Sequence, residues 1–400
     1  MFELLFLLLP VAAASGWWIG RRAARSPRAG VPASHPDFLR GFNYLLDEQP
    51  DKAIDVFLAL AEVDSETVET HLALGSLFRR RGEADRAIRI HQNLIARNTL
   101  NAEQRGYALF ELGQDYMRAG LLDRAELLFQ ELADMGLQRE RALRGLLEIY
   151  QQERDWAHCL EIAERLKPFS ERPLDTEIAQ YHCELAEEAR RHADPTEAKR
   201  HLALAQDVDP HCVRATIITG QMALAQGDTQ AALGEFLRVA DQGPRYVQEV
   251  LPGLLQALAD LGRNDSITVL ESLAGRHPSP PVILALSDAL LRERGPRAAL
   301  AALTDYLAGH ADVAALERLL DLQAQPDPHA VDGSRPEPYG AGYRRHIVHE
   351  VVRCLLARQP AYQCDHCGFS ARAVHWQCPS CKRWGTVQPV QPELTTPEPR

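Results

Sequence analysis

The chain has 400 residues, of which 25% are charged, 46% hydrophobic and 6% aromatic. That is the composition of a folded protein, and it excludes a largely disordered chain. Its 44 basic and 55 acidic side chains leave a net charge of −11, which excludes a general nucleic-acid coat, since such a coat needs a basic surface to displace counterions.

In chain order, Phe2 to Ile19 is apolar apart from Glu3 and Ser15, with Pro10 and Gly16 as neutral breaks. A helix of that length spans roughly 26 Å, enough for a thin hydrocarbon core. Trp17 and Trp18 end the run, where indoles favour the membrane interface, and Arg21, Arg22, Arg25 and Arg28 follow. A cleaved signal peptide carries its positive charge ahead of the apolar run. Residues 1–20 therefore read as a transmembrane anchor, with the bulk of the chain on the cytoplasmic side. Residues 21–37, with three prolines and a glycine after Arg25, read as a linker.

Residues 38–324 carry a period near 34. Small residues at Ala53, Ala87, Ala125, Cys159, Ala198 and Ala232 mark it, with Gly41, Gly75, Gly113 and Gly220 twelve positions earlier. Tyr44, Phe78, Tyr116 and Tyr150 lie nine before their markers, and Phe57, Phe129 and Phe236 four after. The pattern resembles the tetratricopeptide repeat, a helix–turn–helix unit whose stacking builds the core that one hairpin cannot. Six repeats are clear to residue 242, and weaker ones follow at Val247–Arg276, Pro281–Leu307 and Val313–Ala324. Gly82, Gly120 and Gly227 fall at the turns within repeats, where a left-handed backbone suits glycine. His91 stands at an aromatic position and reads as a packed core residue. Cys159, Cys183 and Cys212 read as small buried hydrophobes. The run Arg79, Arg80, Arg81, Arg86 and Arg89 reads as a solvated helix face, with docking of an acidic partner as the alternative. No nucleophile elbow, phosphate loop or zinc-hydrolase motif occurs, so a binding surface is expected, not an enzyme.

Residues 325–342 read as a second linker and 343–358 as one amphipathic helix. Residues 359–390 then hold Cys364-Asp-His-Cys367-Gly and Cys378-Pro-Ser-Cys381, ten residues apart. Two such pairs complete a tetrahedron of thiolates, so Cys364, Cys367, Cys378 and Cys381 are the expected ligands of one metal ion, iron or zinc. His366 and His375 are not needed as ligands. Gly368 is placed for a positive φ, and Trp376 and Trp384 are expected to cover the site. The spacing resembles rubredoxin-type knuckles, and a structural role is favoured over electron transfer. A tail occupies 391–400. The fold class is all-α, a tetratricopeptide-repeat solenoid with an N-terminal transmembrane helix and a small rubredoxin-like knuckle domain.

The start MFELLFLLLPVAAASGWWIGRR, the repeat segments LGSLFRRRGEADRAIRIHQNLI and LGQDYMRAGLLDRAELLF, and the end YQCDHCGFSARAVHWQCPSCKRWGTVQPV occur in that order. Together they resemble the lipopolysaccharide assembly protein B family of Gram-negative bacteria over nearly the whole chain. The resemblance implies an inner-membrane adaptor that promotes degradation of the lipid A deacetylase LpxC by the membrane AAA+ protease FtsH. It also implies restraint by an inner-membrane regulator of the PbgA/YejM type. A scaffold for lipopolysaccharide enzymes, and an iron electron-transfer protein, are the alternatives from other classes.

Overall fold

The computed structural model describes residues 36–47, 49, 52–53, 56, 68–98, 100–262, 265–324, 348–354 and 360–390. The expected anchor, the linker over 325–342, the tail and nearly all of the linker over 21–37 lie outside the described residues. Among the described residues, no helix is long and apolar enough to cross a membrane.

The chain forms two compact units that divide between Ile149 and Tyr150. The first contains Pro36–Leu46, the pair Val68–Arg80 and Ala84–Ile95, the pair Ala102–Arg118 and Leu122–Met135, and most of Arg139–Glu153. The second continues with Trp156–Leu166 and four helix pairs. These are Asp175–Arg191 with Pro195–Val208, Val213–Ala225 with Thr229–Gln242, Val247–Asp260 with Ser266–Arg276, and Pro280–Arg294 with Pro296–Gly309. Val313–Ala324 follows, and Asp321 and Glu317 on it pair with His349 and Arg353 of the helical residues 348–354. Of the weak repeats expected after residue 242, those at Val247–Arg276 and Pro281–Leu307 are helix pairs, and the one at Val313–Ala324 is a single helix. Of the helix expected over 343–358, residues 348–354 are described and helical.

The turns explain why the helices break where they do. Gly82, Gly120 and Gly227 have φ of 83°, 73° and 79°. Arg154 and Ala193 occupy the equivalent turns in two other repeats and adopt the same conformation, with φ of 60° and 57°. An aspartate follows at 155, 194 and 228 and caps the second helix. Its carboxylate accepts from the backbone N–H of His158, of Thr196 and Glu197, and of Ala231, at 3.0–3.1 Å. The cap satisfies first-turn donors that have no partner within the helix.

The packing rule behind the repeat is a large ring against a bare backbone. Phe129 is wholly buried, and a Cβ added to Gly113 or Gly145 would come within 2.5 or 2.7 Å of its ring. Phe236 makes the same contacts with Gly220 and Gly253, where the distances would be 2.6 and 2.9 Å. His91 does so with Gly75 and is 0% exposed. Its ring is more than packing, because Nδ1 lies 2.5 Å from the equally buried carboxylate of Asp115. Asp115 also receives Arg79 at 2.7 Å, and Arg79 holds Glu111 at 2.6 Å. Arg79 is therefore committed to an internal network. Arg80, Arg81, Arg86 and Arg89 are exposed, with Arg81 and Arg86 paired to Glu83.

A three-stranded antiparallel sheet follows the helices in the chain, with β1 Tyr362–Cys364, β2 Ser370–Ala371 and β3 Val387–Pro389 in the order β2-β1-β3. Tyr362 lies opposite Ala371 and Pro389, and Cys364 opposite Val387.

Candidate metal centre and its seat on the repeats

Each pair of cysteines sits on a tight turn, and the two turns have one hydrogen-bond pattern displaced by fourteen residues. The N–H of Gly368 donates to Cys364 O, and that of Lys382 to Cys378 O, both at 2.9 Å. Cys364 N–H donates to Phe369 O, and Cys378 N–H to Arg383 O, both at 2.8 Å. Such a turn needs a left-handed residue after the second cysteine. Gly368 supplies it with φ 74°, as its sequence position implies, and Lys382 supplies it with φ 59°.

The turns face each other and bring together the four residues expected from spacing. All four Sγ atoms lie within 4.8 Å of one another. Cys364 and Cys381 are 3.8 Å apart, and Cys367 and Cys378 are 3.6 Å apart. A tetrahedron of thiolates around a metal at about 2.3 Å has edges of about 3.8 Å. The cluster therefore has the size to close around one ion. The donor set is soft, which suits zinc or iron and disfavours magnesium or calcium. Cys364 is held down to about 6, first by its hydrogen bond with the Thr386 hydroxyl and then by the N–H groups of Cys367 and His366. Cys367 is lowered chiefly by the N–H of Phe369. Burial pushes Cys378 up to about 11. His366 and His375 are exposed, and His375 meets the edge of Phe369.

The cover of this centre differs from expectation. Tyr362 and Val387 pack around Cys364 and Cys378, with Phe369, Ala371 and Val374 at the margin. The two indoles instead face the helices of the same unit. Trp384 meets Trp156 and Tyr181 edge-on, each with ring centres 5.8 Å away. Trp376 stacks on Tyr246 at 5.3 Å and lies 5.7 Å from the Arg214 guanidinium. Spacing alone showed aromatic residues near the cysteines. It could not show which way they turn, since that depends on partners 130–228 positions earlier in the chain.

Polar contacts fix the seat further. Gln377 Nε2 donates to Gln151 Oε1 at 2.8 Å, Arg245 donates to Gln388 at 2.5 Å, and the Tyr362 hydroxyl donates to Glu249 and accepts from Gln248. Apart from Trp156 at the start of Trp156–Leu166, the residues that receive the module lie on or beside Arg139–Glu153, Asp175–Arg191, Val213–Ala225 and Val247–Asp260, the first helices of successive repeats. That face is covered by the module and is not an open groove. Beyond it, an apolar groove remains between Leu251, Leu255, Leu284 and Leu291, with Arg292 and Arg318 at its rim.

Comparison with known proteins agrees with both parts. Residues 362–389 match the model of a rubredoxin metal binding domain, and residues 183–247 that of a tetratricopeptide repeat. Lipopolysaccharide assembly protein B of Escherichia coli strain K12 is 38% identical over 393 residues, which cover 98% of this chain and 99% of that protein. The protein of the same description from Haemophilus influenzae is 34% identical and covers 98% of both.

Proposed function

Because the chain belongs to the lipopolysaccharide assembly protein B family, we propose that it is a membrane-held adaptor that sets lipopolysaccharide output by controlling the lifetime of the LpxC-type deacetylase. The observation that carries this reading is similarity running through the entire chain, repeats and four-cysteine module together. In this reading, residues 1–20 anchor the chain in the inner membrane, with its bulk in the cytoplasm. Confinement to the plane of an FtsH-type protease raises the effective concentration of adaptor and protease for each other without any new contact surface. A PbgA/YejM-type membrane protein restrains the adaptor by the same proximity.

Cys364, Cys367, Cys378 and Cys381 are the proposed ligands of one iron or zinc ion. The ion joins two turns that have little core of their own, so its binding energy is folding energy for the module. With four protein thiolates and no open position, the role is structural. The folded module then presents Trp376, Trp384 and Tyr362 to the repeats and fixes the relative placement of their first helices. The client is expected on repeat surface that the module leaves open, such as the groove around Leu255 and Leu291.

The test is the lifetime of the deacetylase after depletion of this protein in its own host, with synthesis blocked. A lengthened lifetime is the expected result. An unchanged lifetime, with the protein still co-purifying with several lipopolysaccharide enzymes, replaces the adaptor by a scaffold.

A further inference from the structure

Two cysteines outside the metal module are placed for chemistry of their own. Cys183 lies within Asp175–Arg191 and is 0% exposed, and Cys212 sits at the N-cap of Val213–Ala225 and is 3% exposed. Their sulfurs are 3.8 Å apart, within hydrogen-bond reach of each other. Several groups around Cys212 favour a thiolate, against its burial and the nearby Asp209 carboxylate. Its sulfur accepts from the Ala215 N–H at the helix start and lies 3.8 Å from Gln180 Nε2. The Arg214 side chain is close by and buried, held by Glu184 at 2.9 Å and Gln180 at 3.2 Å. Helix N-termini and guanidinium groups are the settings in which a thiol ionises readily. The Cys212 thiol is lowered, first by the hydrogen bond from Cys183, and Cys183 is raised by giving that bond. Cys159 is buried in the same unit without such neighbours, and burial pushes it up to about 12.

We propose that Cys183 and Cys212 form a reversible oxidation site, closed to a disulfide by hydroperoxides. The Cys212 thiolate attacks one peroxide oxygen, breaking the O–O bond and forming a sulfenic acid. The departing oxygen takes the proton of Cys183 and leaves as water, or as an alcohol from an organic peroxide. The Cys183 thiolate then attacks the Cys212 sulfur, forms the S–S bond and expels hydroxide, which takes up a solvent proton. Two thiols and one peroxide give one disulfide and two waters, or one water and one alcohol when the peroxide is organic. Bonding shortens the sulfur separation from 3.8 Å to about 2.05 Å, so the two helices must adjust. Both carry the seat of the metal module. Tyr181, two residues before Cys183, meets Trp384, and Arg214, two after Cys212, lies under Trp376. The site therefore couples peroxide exposure to the fit of the module.

The experiment uses the full, metal-loaded chain in detergent, treated with hydrogen peroxide and mapped by peptide mass spectrometry. The expected product is a linked pair of peptides carrying Cys183 and Cys212, two hydrogens lighter than the thiols and reopened by dithiothreitol. It should form at least tenfold faster than Cys159 oxidises. In Cys183→Ala, Cys212 should accumulate as a sulfenic acid that dimedone captures, while in Cys212→Ala, Cys183 should be inert to the same dose. The proposal is overturned if the pair reacts no faster than Cys159. It is equally overturned if the link forms only after the four thiols of the metal centre have been oxidised. The wild-type measurement decides the matter even if a variant folds poorly.

Discussion

Replacing Trp384 with alanine tests the seat of the metal module most directly. The indole is 8% exposed, and its ring neighbours Trp156 and Tyr181 both belong to the repeats. Truncating a buried tryptophan costs about 3–5 kcal/mol, which includes about 0.5–1.5 kcal/mol for each of the two edge-on pairs. Because those partners lie outside the module, the loss falls on docking more than on the module's own fold. At 1.4 kcal/mol per factor of ten, the docked state is disfavoured by roughly two to three and a half orders of magnitude. Hydroxyl-radical labelling of the metal-loaded full chain reads the outcome, because Trp156, Tyr181 and Tyr246 are all at most 8% exposed when the module is seated. Tyr246 lies beneath Trp376, away from the substitution. Its labelling reports departure of the whole module, whereas labelling of Trp156 alone reports a local gap. The expected result is strong labelling of all three with metal content unchanged. Protection of Tyr246 in a metal-loaded Trp384→Ala chain would refute the reasoning.

Other consequences are open to measurement. Gly220→Ala removes a helix-interior glycine, a change worth about 1 kcal/mol in favour of folding. It also drives a methyl to 2.6 Å from a Phe236 ring already pressed on its other side by Gly253, so net destabilisation of about 1–2 kcal/mol is expected in urea unfolding. Lys382→Gly relieves a left-handed lysine with φ 59° and should stabilise the module by about 1 kcal/mol, read as slower metal loss to a chelator. His182, with Nδ1 3.0 Å from that of His201, is held down to about 4, first by burial and then by His201 and Arg200, with Glu164 opposing. The unfolded chain binds the proton more readily between about pH 6.5 and 4. Stability is therefore complete above pH 6.5 and falls through that window, by about 1–2 kcal/mol after allowance for partial solvent exposure. In His182→Gln this contribution to the pH slope of urea unfolding should vanish.

The parts legible in the sequence are those governed by local spacing. Repeat length, the glycine and aromatic positions and the four cysteines are set by contacts within one or two neighbouring hairpins, so their offsets recur. The buried carboxylate of Asp115 was not legible, because an aspartate on an amphipathic helix resembles any surface acid until its partners His91 and Arg79 arrive from the preceding repeat. The left-handed turns at Arg154 and Ala193 were hidden for a related reason. The fold imposes the conformation there, and the side chain does not advertise it. The direction of Trp376 and Trp384 was hidden because their partners are remote in sequence.

The remoteness of those partners also orders events during synthesis. The helices that receive the module are complete once Asp260 has been made, and each repeat needs only its neighbours to fold. Tyr362, which binds Glu249, is more than a hundred residues later. At ~5–20 residues per second the ribosome needs roughly ten seconds to reach it. During that interval Trp156, Tyr181 and Tyr246 form an uncovered aromatic strip on a nascent protein. If the four-cysteine module needs its metal to fold, as proposed, then a chain that is truncated or starved of metal leaves the same strip bare.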